Sequence, residues 1–301
     1  EVLMDMKFEP IKYVIPGIIV EGLTLLAGKP KVGKSWLLLH AAIAVARGGF
    51  TLGDIHCAEG DVLYCALEDN PRRLKARMGK LLGMDTAGAW RRRLHFQTEM
   101  PRLADGGLAL LKEWITFAER PRLIIIDTLS MVRVSLKKND TAFQADYDAV
   151  KDLRKLAADH HVAIVLVHHL RKADSDDPFD TVNATLGLTA AVDSVLIVRR
   201  DANGNHTLHG RGRDLVELEK ALGFNRDNCT WMIIGDASEV KRSADRKAIV
   251  SALIERGEEM TAKDIATETG LRVSKLRPLL KRMVGDGEIR RGKRGRFLYT
   301  A

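Results

Sequence analysis

The apolar run LTLLA (residues 23–27) passes directly into GKPKVGKS (residues 28–35), and this join limits the possible folds more than any other stretch of the chain. Four residues separate Gly28 from Gly33, and Lys34 and Ser35 follow. That spacing lets the backbone curl with its N–H groups turned inward, unobstructed by side chains. The next segment, WLLLHAAIAVA (residues 36–46), has apolar residues at helical spacing. A strand, a glycine turn and a helix in this order set the positive end of a helix dipole against an anion held in the turn. The anion expected is the phosphate tail of a nucleotide. Lys34 places a point charge near the β and γ phosphates and Ser35 offers its hydroxyl to Mg²⁺, while Gly28, Lys31, Gly33 and Trp36 complete the nucleotide-contacting set.

Four more apolar runs recur between helical segments: DVLYCAL (61–67), RLIIIDTL (122–129), VAIVLVHH (162–169) and DSVLIVRR (193–200). Continuous rather than alternating apolar strands are those buried on both faces, as in a parallel sheet covered by helices. The expectation is an α/β domain with a mostly parallel sheet over residues 1–240. HTLHGRGR (206–213) and CTWMIIG (229–235) read as a hairpin-style addition at the sheet edge, with NGN at 203–205 as a turn. No apolar run approaches the roughly 20 residues that span a bilayer, so no membrane partner is expected. Cys57, Cys65 and Cys229 form no CxxC pair, which argues against zinc and disulfides and for reduced thiols in a cytoplasmic protein. The chain starts at Glu1 without a signal pattern and could be one segment of a longer protein.

In open α/β sheets the ligand lies beyond the carboxyl ends of the strands, so the polar residues ending these runs are the candidates for chemistry. Asp127 ends LIII and is the expected carboxylate toward Mg²⁺. Glu68 and Asp69 end VLYCAL. Glu68 follows the strand directly and is the expected base that orients and deprotonates water, with a surface turn acid as the alternative. His168 and His169 end VAIVLV, where an imidazole can hydrogen-bond the γ-phosphate and signal its loss to the following loop.

IPGIIVEGLTLLAGKPKVGKSWLLL, VLYCALEDNPRRLKARM, LIIIDTLS, VLVHHLRK and GLTAAVDSVLIVRR, taken in order, resemble the RecA-fold ATPases of the plasmid RepA type, hexameric replicative helicases with phage relatives. The resemblance covers about residues 10–236. It implies a RecA-like P-loop fold and a homo-hexameric ring with ATP at the subunit interfaces and single-stranded DNA in the channel. It also gives Lys34, Ser35, Glu68, Asp127 and His169 the roles of phosphate lysine, magnesium ligand, catalytic base, second magnesium carboxylate and phosphate sensor. Such rings complete each site with an arginine from the neighbouring subunit. In LHGRGRDLVE, Arg213 is the first choice for this role and Arg211 the second, the alternative being a strand-edge arginine paired with Asp214 or another carboxylate. Where the family carries a glycine- and serine-rich loop, this chain reads ADSDDPFDTVNATLGL (173–188), an acidic segment.

Charge marks a boundary. Residues 241–301 hold 16 Lys and Arg against 8 Asp and Glu, the whole excess of the chain, whose net charge is +8. A basic module of this size favours nucleic acid. DRKAIVSALIER, TAKDIATETG with Thr261 as N-cap, and VSKLRPLLKRMVGDG read as three helices, and EIRRGKRGRFLYT as two strands around a glycine-containing tip, together a winged helix. In that motif the third helix enters the major groove of duplex DNA and the wing follows phosphates. Lys275, Arg277, Lys281, Arg282, Arg291, Lys293, Arg294 and Arg296 are the candidate contacts. Pro278 bends the third helix unless it falls in the first turn. The expected function is an ATP-dependent DNA helicase or helicase-like ATPase of plasmid or phage replication, acting alone or beside a primase. The rival is an ATP-switched DNA-binding regulator with little motor activity.

Overall fold

The computed structural model describes residues 2–7, 9–133, 142–170, 177–183, 186–292 and 295–299, so Lys293 and Arg294 lie outside the described residues. The chain divides into two compact units, 1–234 and 235–301.

In the first unit, α1 (Val2–Asp5) and the hairpin β1 (Tyr13–Ile15) and β2 (Ile19–Val20) lead into β3 (Gly22–Gly28) and α2 (Lys34–Arg47). A second hairpin, β4 (Phe50–Thr51) and β5 (Ile55–His56), precedes β6 (Asp61–Ala66), α3 (Pro71–Leu82), β7 (Leu94–Gln97), α4 (Gly107–Phe117) and β8 (Pro121–Asp127). Then come α5 (Leu129–Val132), α6 (Ala142–His160), β9 (Ala163–His169), α7 (Asp180–Asn183), α8 (Leu186–Ala191), β10 (Ser194–Arg200), β11 (His206–Gly212), β12 (Leu218–Asn225) and β13 (Thr230–Asp236). Nine strands form one sheet in the order β13-β12-β11-β10-β3-β9-β8-β6-β7, parallel from β10 through β7 and antiparallel from β10 to β12.

The strand composition explains this layering. Leu23, Leu25 and Ala27 of β3 face one core with Ile124, Ile126, Ile164 and Leu166, while Leu26, Ile125 and Val165 face the other with α2. Two-sided burial of this kind is what continuous apolar runs require. Two strands of this sheet escaped the sequence reading. LHFQ is β7, and LEKALGFN is β12, which lies between the two runs expected to pair as an edge hairpin. The NGN turn joins β10 to β11, with Asn203 and Asn205 N–H groups donating to Asp201 Oδ1. β12 mixes charged, glycine and apolar residues without a clean period, so only pairing with β11 makes it a strand.

The second unit holds α9 (Ala237–Arg256), α10 (Ala262–Thr269), α11 (Val273–Gly285), β14 (Ile289–Arg291) and β15 (Phe297–Tyr299). Its own core contains Ile249, Leu253, Met260, Ile265, Leu276, Leu280 and Met283. Thr261 caps α10 in a reciprocal capping box with Asp264. The polar stretch SEVKRSA (238–244), which precedes the helix expected from Asp245, already belongs to its opening turns. Among the described residues no helix is long and apolar enough to cross a membrane.

Candidate functional site

The loop after β3 is built as its glycines require. Lys31 and Gly33 both adopt left-handed φ, 63° and 99°, which curls the backbone around a concave space. A Cβ at Gly28 would meet Val198 O at 2.7 Å, so only glycine fits there. Lys34 opens α2 and is 4% exposed. Its Nζ donates to Gly28 O at 2.7 Å and Lys29 O at 3.1 Å and lies 3.1 Å from His169 Nδ1. Burial lowers its pKa to about 8, against the pull of the Asp127 and Glu68 carboxylates. A buried cation resting on carbonyl oxygens is poised for an anion.

β6, β8 and β9 bring their ends to the same place because they run parallel to β3. Asp127 is 6% exposed, and burial raises its pKa while hydrogen bonds from Ser35 and Tyr64 lower it. Tyr64 Oη donates to Asp127 Oδ2 at 3.0 Å. Glu68 Oε1 accepts from Thr128 Oγ1 at 2.8 Å, and its Oε2 lies 3.4 Å from His169 Nε2. His169 therefore stands between Lys34 and Glu68. Its neighbour His168 is half-buried and engaged within the chain. Asp69, the other acid of this pair, is bound by Arg73 Nε at 2.8 Å and Arg77 Nη1 at 2.6 Å. Arg77 also stacks on the Trp36 ring at 5.5 Å.

Ser35 and Asp127, an adjacent hydroxyl and carboxylate, are the hard oxygen donors Mg²⁺ takes. No group of three or more His, Cys, Asp or Glu with metal-binding geometry occurs among the described residues.

A family model described as an AAA domain matches residues 3–175, more than half of the chain. The chain belongs to the AAA domain family. Solved structures similar to this AAA domain protein include a DnaB-like replicative helicase, described with its interactions with primase, at 14% identity and TM-score 0.59. That match covers 77% of this chain and 66% of the other, so the chain spans just under two thirds of that helicase. A KaiC-like protein of the hyperthermophilic archaeon Pyrococcus horikoshii OT3 aligns at 13% identity and TM-score 0.53, over 74% of this chain and 99% of that one. An ATPase domain aligns at 13% identity and TM-score 0.56, over 70% and 84%. No curated protein sequence matches the chain. The AAA domain thus sits on a RecA-like P-loop NTPase fold.

Arg213 lies far from this cluster. Val198 of β10 aligns with Gly28 at one end of the sheet, and Ser194 aligns with Gly212 at the other. From the Leu208 level to Arg213 is five residues, about 17 Å along the strand, beyond the reach of an arginine side chain. Arg211 stacks over the Phe179 ring at 3.9 Å. Arg213 is 57% exposed, with Nη1 3.8 Å from Asp193 Oδ1, which Arg154 Nε holds at 2.8 Å.

In the second unit, Arg277, Lys281, Arg282, Arg291 and Arg296 are exposed, whereas Lys275 Nζ is bound to Asp245 Oδ2 at 2.5 Å. Pro278 lies inside α11, past the first turn.

Tyr64, Thr128 and Trp231 are site residues the sequence reading missed. Trp231 Nε1 donates to Gly33 O at 3.2 Å, and a Cβ at Gly33 would meet its ring at 2.5 Å. Tyr64 carried a signal, since it sits on the strand that delivers Glu68. Trp231 carried none, because it reads as an ordinary core aromatic.

Proposed function

We propose that this chain is an ATP-hydrolysing, helicase-like motor of plasmid or phage DNA replication that works as a homo-hexameric ring. The observation that carries it is the division of chemistry between the two ends of one sheet. Lys34, Ser35, Glu68, Asp127 and His169 gather at one end, and Arg213 sits beyond the other, too far to act in its own chain. An arginine so placed serves the site of a neighbour in a head-to-tail ring.

Lys34 holds the β and γ phosphates. Glu68, oriented by Thr128, takes a proton from water as the water oxygen bonds to the γ-phosphorus and the bond to the bridging oxygen breaks. Ser35 and Asp127 would hold Mg²⁺, which neutralises phosphate charge when bound. Tyr64 fixes the Asp127 carboxylate, and His169 shifts between Lys34, Glu68 and the γ-phosphate as the nucleotide changes. Arg213 of the next subunit stabilises charge developing on the transferred phosphoryl group, with Arg211 second because Phe179 holds it. The second unit acts as a winged helix on duplex DNA through Arg277, Lys281, Arg282, Arg291 and Arg296, with single-stranded DNA in the channel and a primase as a possible partner.

The test mixes two inactive variants, Glu68→Gln and Arg213→Ala. In randomly mixed rings about a quarter of the interfaces pair an intact Glu68 with an intact Arg213, so partial ATPase activity returns. With exchange of labelled subunits verified, a silent mixture rules out Arg213 as the shared residue.

One observation favours the regulatory alternative. The segment after β9 is acidic, and Phe179, Val182 and Leu188 anchor it in the core. A motor's ATPase rises many-fold with single-stranded DNA, whereas a switch turns over slowly and binds duplex in a sequence-dependent way.

A further inference from the structure

Helix α3 (PRRLKARMGKLL) carries Arg72, Arg73, Lys75, Arg77 and Lys80 and no acid. It lies in a region, residues 1–240, whose Lys and Arg number 32 against 32 Asp and Glu. Asp69 takes Arg73 and Arg77. Arg72, Lys75 and Lys80 remain exposed, on a helix that starts three residues beyond Glu68.

The opposite charge stands on the loop between β11 and β12. Its sequence is RDLVE (213–217), with Asp214 and Glu217 exposed beside Arg213. This loop is held, not trailing. Leu215 is buried, Tyr13 Oη donates to Asp214 O at 2.9 Å, and Arg213 N–H donates to Asp193 O at 3.0 Å. So anchored, it still turns Val216 outward at 83% exposure between the two acids.

These surfaces cannot meet within one chain. α3 leaves the carboxyl end of β6, the loop lies at the other end of the sheet, and five strand steps separate β6 from β11, about 24 Å sideways. Between chains they are complementary. We infer that the 213–217 loop docks on the exposed basic face of α3 in a second copy of this chain, Asp214 and Glu217 meeting Arg72 and Lys75 with Val216 seated between them. This inference rests on the ring with Arg213 acting in a neighbour's site. It adds what steers Arg213 there, since complementary charge sets the register of a head-to-tail contact.

Charge reversal tests it, read as particle mass by sedimentation with a non-hydrolysable ATP analogue. Arg72→Glu with Lys75→Glu in one variant, and Asp214→Lys with Glu217→Lys in another, should each raise the concentration for half-assembly about tenfold or more. The chain carrying all four changes should return to within about threefold of the unaltered protein, since each interface regains opposite charges. A reversal that merely unfolds the chain is not rescued by adding the other. Unchanged assembly in both variants, or no recovery in the combined chain, overturns the inference. So does an α3 reversal that leaves assembly intact and weakens single-stranded DNA binding, which makes α3 a nucleic-acid face. If the unaltered chain does not assemble, the ring itself is wrong and this contact falls with it. If it assembles and the reversals do nothing, only this contact is wrong.

Discussion

Lys34 sets the pH behaviour of the site. Burial depresses its pKa to about 8 from an ordinary 10.5, and a bound phosphate favours the charged form and raises it again. Nucleotide binding therefore takes up a proton above pH 8, and ATP affinity falls as pH rises through about 8, approaching tenfold per unit. Calorimetry in buffers of different ionisation enthalpy at pH 8.5 or so should record that uptake, and Lys34→Ala should abolish both it and turnover. The same shift works against the folded empty chain below pH 8, and the penalty shrinks as pH climbs toward 10.5. Glu68→Gln separates binding from chemistry, because the amide keeps the Thr128 contact but cannot accept the water's proton. ATP should bind with near-normal affinity while kcat falls by roughly 10²-fold or more. Normal turnover would move the base elsewhere, though Asp69 is a poor candidate while Arg73 and Arg77 occupy it.

At the scale of elements, α11 carries its own flaw. Pro278 stands five residues after the first residue of the helix, on its exposed side, where it removes one backbone hydrogen bond and crowds the preceding turn. Pro278→Ala deletes little packing and restores that bond. It should stabilise the 235–301 unit by about 1–3 kcal/mol in denaturant unfolding. Unchanged or lower stability would mean that Pro278 helps position Leu279 and Leu280 in the small core. The elements legible beforehand were the continuous apolar strands β3, β6, β8, β9 and β10, the edge runs that form β11 and β13, and the helices with an apolar stripe, α2 and the three at the C-terminus. β12 and β7 were hidden because a strand with mixed polarity is stabilised by its neighbours, not by its own pattern. The early start of α9 was hidden because SEVKRSA offers only Val240 and Ala244 among polar residues, too few to make an apolar stripe.

For the whole molecule, the charge excess and the compact 235–301 unit coincide. Ending the chain after Asp236 keeps β13, and with it Trp231 against Gly33, while removing α9 onward. The truncated chain should fold and bind ATP but lose affinity for duplex DNA. Its log–log salt slope should flatten by about 0.9 for each phosphate contact removed. Filter binding across a salt series checks this, and an unchanged slope would assign the unit to protein docking.

The phosphate loop, the acids and histidines at the strand ends, the α/β layering and the basic tail were all decided by the sequence itself. Each depends on residues close together in the chain, where glycine spacing, side-chain period and peptide geometry act locally. Tertiary structure alone decided which strand lies beside which. That order brings Tyr64 to Asp127 across 63 residues, Thr128 to Glu68 across 60 and Trp231 to Gly33 across 198. It commits Asp69 to Arg73 and Arg77 and leaves Glu68 beside His169. It also sends Arg213 to the end of the sheet away from Lys34, because β11 runs antiparallel to β10 whereas every strand of the site runs parallel to β3. Strand order and direction follow from how two apolar faces are buried at once, a property of the packed sheet that no local window of sequence contains.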